Sequence, residues 1–159
     1  MGFGIVEERG SSLKALEFGV IETPAKMPFE ERLLRIYDAV ETIVKRHPCN
    51  EAAVETLFFS KNVKTAMAVA EARGVIRLAL ARLKMPVLEC APNQVKLALT
   101  GSGKADKGQV TRMVTRLLNL PAPPKPDDAA DALALALTAL RSRNLRKFSA
   151  LAIKSKKIR

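Results

Sequence analysis

Aromatic residues make up only 4% of this chain, which also has a single histidine, two cysteines and no long apolar run. Each shortage narrows the reading. The longest apolar-dominated run, near residues 129–140, falls short of the roughly 18–20 residues a membrane span needs, so no membrane role is expected. Cys49 and Cys90 share no motif spacing and read as two ordinary thiols in a reducing cytoplasm. His47 precedes Pro48, has no partner in the sequence and carries no assigned role. Glu7 and Glu8 stand where a secretory leader would be basic and then apolar, so export is not expected.

Acids are also scarce, 16 against 27 basic residues, for a formal net charge of +11. The excess is uneven. Eight basic residues and no acid fall in 141–159, leaving 19 basic against 16 acidic residues elsewhere. Such a stretch suits electrostatic contact with nucleic acid, or simply solvates a disordered tail. Residues 1–143 read as one domain and 144–159 as a basic tail.

Strand-like runs at 2–8 and 12–23 flank a turn at Arg9-Gly10-Ser11 and predict a β-hairpin. Helical spacing follows over 28–46. "EAAVETLFF" (51–59) reads as a buried strand interrupted by Glu55. Residues 62–83 predict an alanine-rich helix whose small residues permit close packing on this chain's core or on a second copy. A strand at 86–91 and helices at 92–99 and 109–119 surround a glycine-rich basic loop at 101–108. A proline connector at 121–126 then leads to a last helix ending near Arg143. The order gives an α/β fold, a mixed sheet with helices packed on it.

The few acids are oddly placed. In "PDDAAD" (126–131), Asp127 can cap the helix and Asp128 gains from its dipole. Asp131 lies a turn deeper, on a helix that is apolar all round beyond it, where an ionised carboxylate is costly unless paired or bound to metal. Asp128 and Asp131 share a helix face about 5–6 Å apart, a spacing that suits two hard oxygen donors to a cation such as Mg²⁺. Glu55 is either an outward-facing strand residue or a third ligand. An acid on a strand and two on a late helix belong to the inventory of a two-metal phosphodiester-cleaving site.

Lys96, Lys104 and Lys107 flank the glycine-rich loop and suit phosphates of a nucleic-acid backbone. A nucleoside-triphosphate loop is excluded. Ala98 stands where that motif's first glycine belongs, and Ala105 replaces its Ser/Thr. Phe58 and Phe59 follow Glu55 closely, and each is either core or a stacking surface for an exposed base.

These pieces resemble the RuvC-type Holliday-junction resolvases. The matching stretches are "VETLFFSKN" (54–62), "EARGV" (71–75), "APNQVK" (91–96), "KADKGQV" (104–110) and "PDDAADALALAL" (126–137), in the family's order. The resemblance implies a ribonuclease-H-like fold, a homodimer, and Mg²⁺-dependent symmetric nicking of four-way DNA junctions with two ions per site. It places Glu55, Asp128 and Asp131 on metal ligands, Lys96 and Lys107 on active-site basic residues, and Phe58 on the aromatic at the junction centre. It further implies that the helix at 62–83 is the dimer helix and that a branch-migration motor is a partner.

One departure stands out. The family opens on a central strand reading like "GIDPG", whose aspartate is the first metal ligand. Here Met1 directly precedes Gly2-Phe3-Gly4, and Glu7, Glu8, Glu17 and Glu22 read as hairpin or edge positions. The expectation is therefore a mixed sheet lacking its first, central strand, with unpaired backbone groups where that strand would lie. A misplaced start or a fragment of a longer nuclease is one reading. A truncated, impaired protein that binds branched DNA without cutting it is another, and a relative acting on structured RNA is a third.

Overall fold

Period-two alternation over the first twenty residues builds an antiparallel hairpin in the computed structural model. The model describes the backbone of residues 1–56 and 63–156, and side-chain surroundings over 1–56 and 66–143. Strands β1 (Gly2–Arg9) and β2 (Ser12–Val20) pair antiparallel, with Arg9 opposite Ser12. Gly10 takes φ +61° in the two-residue turn, the left-handed value a type II′ turn asks of its first central residue. Val6 faces Ala15 and Ile5 faces Glu17, so Leu16 is bulged out of the ladder.

Helix α1 (Phe29–Arg46) follows Pro28, carries Glu30 and Glu31 in its first turn and Lys45 and Arg46 in its last, and buries Ile36, Val40 and Ile43. Strand β3 (Ala52–Glu55), helix α2 (Val63–Arg82) and strand β4 (Val87–Cys90) form a parallel unit in which Glu55 is opposite Cys90. Helix α3 (Pro92–Thr100) opens on proline, with Gln94 Oε1 accepting from the Ala91 N–H, and closes at Gly101. Helix α4 (Lys107–Leu117) starts two residues earlier than the spacing predicts. Asp106 Oδ1 accepts from the Gln109 N–H at 2.8 Å and Gln109 Oε1 from the Asp106 N–H at 2.9 Å, a reciprocal cap.

Helix α5 (Asp127–Lys156) runs well past Arg143, where the sequence reading ended it. No glycine or proline follows Pro126, so nothing in the chain stops the helix. The basic stretch from 144 on is thus helical to Lys156.

Helices α1 and α2 cover one face of the strands, packing Ile36, Val40 and Leu80 against Phe3, Ile5, Val54 and Val87. Helices α3, α4 and α5 cover the other, where Val114, Leu133 and Leu137 are fully buried with Val6, Ala15 and Leu88. The α/β class holds, but not as a single mixed sheet. Among the described residues the strands form two separate two-stranded sheets, β1–β2 and β3–β4, and α5 packs across both. One edge each of β1 and β3 has no strand partner there.

Gly2 and Gly4 let β1 lie on α5. A Cβ at Gly4 would stand 2.9 Å from Leu133 Cδ2, and one at Gly2 1.9 Å from the Asp128 carbonyl oxygen. Glu17 ties the hairpin to the end of α1, 2.8 Å from Arg46 Nη1 and 2.6 Å from His47 Nε2. His47 therefore has a partner that the linear sequence hides. Neither thiol is in a disulfide, and burial pushes Cys49 up from its ordinary pKa. No described helix is long and apolar enough to cross a membrane.

Candidate active site

Glu55 is the last residue of β3 rather than an interruption within a longer strand. Alternation sends Val54 into the α1–α2 core and Glu55 to the α5 side. Its position at the carboxyl end of a parallel strand is where open α/β sheets bind ligands. Glu55 is held above the usual carboxylate range, first by the protein packed around it and second by the charge of Asp131. The two acids named from the sequence on different elements are thus electrostatic neighbours.

Asp127, Asp128 and Asp131 lie on the first two turns of α5. Lys107, the first residue of α4, reaches across with Nζ 3.2 Å from Asp127 Oδ2 and 3.3 Å from Asp131 Oδ2. Asp127 chiefly, then Asp131, hold the Lys107 ammonium above its ordinary pKa. Asp127 does not serve as the expected cap. It is already inside the helix, and its carboxylate shares Lys107 instead.

Asp131 differs from expectation in its surroundings. Its side chain is 55% exposed, although Ala130 and Leu133 beside it are buried. The apolar faces of α5 are covered by β1, α3 and α4, while Asp131 stands on the side that meets Lys107. The N-terminal ammonium lies 3.8 Å from Asp128 Oδ2 and donates to the Ile21 carbonyl. An open groove of about 490 Å³ runs from Asp128 and Pro126 to Arg35 and Glu22.

Other sequence-named residues are not gathered in. Lys96 is half-buried on α3, and among the described residues it makes no ion pair. Lys104 lines a different groove, beside Arg112 and Arg116. Phe58 and Phe59 lie outside the described residues. Arg73 of α2 was not singled out from the sequence. Its Nε donates to the Glu55 carbonyl at 3.2 Å, and its Nη2 is 2.7 Å from Glu89 Oε2 on β4. Arg77 pairs with the same glutamate, and the two arginines hold Glu89 below the usual carboxylate range. Arg73 lies within "EARGV", but its bond to the strand end depends on β3 and α2 meeting.

Among the described residues no three acids converge closely enough to cage one cation. The donor set nonetheless suits Mg²⁺. That ion keeps several waters and is commonly held by one or two carboxylates together with substrate phosphates. Glu55, Asp128 and Asp131 are hard oxygen donors, the two aspartates exposed and the glutamate partly covered, and the charge of Asp131 on Glu55 is one a cation would relieve.

An α/β frame that brings carboxylates and a lysine to strand and helix ends is a layout used by nucleases that cut phosphodiesters. Residues 1–139 match the family model described as crossover junction endodeoxyribonuclease RuvC. The chain is 49% identical to the crossover junction endodeoxyribonuclease RuvC of Clostridioides difficile over 147 residues, covering 92% of this chain and 87% of that one. With the Thermotoga maritima protein of the same name it shares 51% over 144 residues, 90% of this chain and 86% of that one. The Thermus thermophilus RuvC structure superposes with a TM-score of 0.81 at 37% identity, covering 89% of this chain and 88% of that one. The T. thermophilus RuvC in complex with Holliday junction substrate gives 0.82 at 37% identity, covering 86% and 84%. The chain belongs to the RuvC family of crossover junction endodeoxyribonucleases, and the structural likeness implies a ribonuclease-H-like fold.

Proposed function

We propose that this chain resolves four-way DNA junctions by paired, symmetric nicks in recombination and repair, as a Mg²⁺-dependent homodimer. The observation that carries the reading is that Glu55, at the end of β3, feels the charge of Asp131 on α5, while Lys107 of α4 pairs with Asp127 and Asp131. Glu55, Asp128 and Asp131 would hold the cations, two per site. Bound there, Mg²⁺ supplies Lewis-acid activation of water and charge stabilisation at the leaving 3′-oxygen.

The chain's own groups do the positioning. Lys107 fixes the Asp131 carboxylate and offsets part of the acidic charge that would repel a phosphate. Lys96 and Lys104 add positive charge for the backbone, and Phe58 stacks at the junction centre. Exposed Met67 and Leu78 share a face of α2 with Gly74, which has open space around it. That face supports the dimer reading. The fold unit of residues 1–143, the basic stretch after it and a branch-migration motor as partner complete the proposal.

Replacing Asp131 with Asn separates chemistry from binding. Gel shift should find the D131N chain binding four-way junctions as the unsubstituted protein does, while nicking in Mg²⁺ falls by at least 100-fold, as expected when a transition-state contact is lost. Unchanged nicking would refute the assignment. The lack of a three-acid group among the described residues favours one second reading, a chain that binds junctions without cutting them. Binding with no nicking in the unsubstituted protein would establish it.

A further inference from the structure

Helix α4 has two charged sides with opposite fates. On the side facing α5, Lys107 is neutralised by Asp127 and Asp131. At 100° per residue, Gln109, Arg112, Met113 and Arg116 fall on the side directly opposite. With Lys104 from the preceding loop they line an open groove of about 650 Å³. Lys104, Arg112 and Arg116 are all exposed. Among the described residues none of the three has a carboxylate partner.

The acid nearest in sequence is already engaged, since Asp106 accepts from the Gln109 N–H. Gln109 spends its carbonyl oxygen on the Asp106 N–H, which leaves its amide NH₂ as a donor. The charged residues that line the groove are therefore all cations, and no carboxylate lines it. Arg112 and Arg116 sit one helical turn apart, where like charges repel. An external anion would relieve that repulsion.

We propose that this groove is a second phosphate-binding surface that holds a duplex DNA arm away from the carboxylate site. Two guanidiniums about 6 Å apart along a helix, with an ammonium beside them, suit successive phosphates of one strand better than a single small anion. The groove is also open rather than enclosed, as a continuous backbone requires. Its position across α4 from Lys107 gives a bound junction a hold outside its centre. This surface deepens the proposed function and rests on it.

The test is fluorescence anisotropy of the full chain with a labelled four-way junction and with linear duplex, in EDTA, across a salt series. Each phosphate contact contributes about 0.9 to the slope of log K against log[salt]. The Arg112→Gln/Arg116→Gln protein should lose roughly 1.8 of that slope on both DNAs. Arg112→Lys/Arg116→Lys should keep it. A charge-matched control, Lys26→Gln/Lys45→Gln on the α1 side, should also keep the wild-type slope. Both arginines are exposed, so the wild-type melting temperature is expected for the variants.

A wild-type slope in the double glutamine protein overturns the proposal. If that protein instead loses binding to polyglutamate while its DNA slope is unchanged, the groove belongs to an acidic protein segment, which also overturns it. The junction reading is judged separately. It fails if the unsubstituted chain shows no preference for the four-way junction over linear duplex, whatever the arginine variants do.

Discussion

Lys107 stands between the carboxylates of Asp127 and Asp131, and Glu55 stands beside the same Asp131 with no ion-pair partner of its own among the described residues. Folding therefore crowds Glu55, through burial first and the Asp131 charge second. The sign of the consequence follows from linkage. A carboxylate whose folded pKa lies above its ordinary 4.5 destabilises the fold at every pH above that raised value. The cost shrinks as pH falls through the interval between the two values and is gone below 4.5. Glu55→Gln should therefore melt above the unsubstituted protein at pH 7 in EDTA, and level with it below the ordinary carboxylate pKa. Differential scanning calorimetry across pH decides it, and a lower melting temperature for the glutamine form at pH 7 would refute the crowding. Added Mg²⁺ should raise the melting temperature of the unsubstituted protein more than that of Glu55→Gln, because binding to the folded state alone stabilises it.

At the scale of elements, the contact between β1 and α5 decides where the acids stand. Leu133 is fully buried under Gly4, and a methyl group there would sit 3.0 Å from its Cγ and 3.1 Å from its backbone nitrogen. The backbone contact cannot be relieved by turning a side chain. Gly4→Ala should cost about 1–3 kcal/mol as overpacking, lowering the melting temperature by roughly 2–4 °C for each kcal/mol. An unchanged melting temperature would mean that β1 does not rest on the helix as described.

Elements with a local signal were legible in the sequence. The hairpin announced itself through Gly10, α1 through its apolar spacing, and α3 through Pro92. The acids at the start of α5 and the glutamate after "AAV" were visible for the same reason, being polar residues in apolar runs. What escaped depended on contacts between elements. The start of α4 turned on Gln109 folding back to Asp106, and the full length of α5 on the absence of any breaker. Asp127 looked like a cap because Lys107 is 20 positions away in sequence. The expected burial of Asp131 failed because its side of the helix meets the Lys107 ammonium rather than the apolar core. Glu17 with His47, and Arg73 with the Glu55 carbonyl, are tertiary contacts with no local pattern.

At the scale of the whole molecule, the described residues form two helical layers around two small sheets, with α5 packed across both. The same helix begins at the carboxylates and continues into the basic stretch, so one element links the site to the strongest positive charge of the chain. Acids gathered at one point of a chain of net charge +11 let the protein attract a polyanion broadly and admit cations locally. The measurement that tests this account most directly maps nicks in a four-way junction, end-labelled on each strand in turn, beside a linear duplex of the same sequence. With the unsubstituted chain and Mg²⁺, the account predicts nicks at matching positions in two opposed strands, none in the linear duplex and none in EDTA. A junction that is bound but left intact, or a linear duplex cut as readily as the junction, would contradict it.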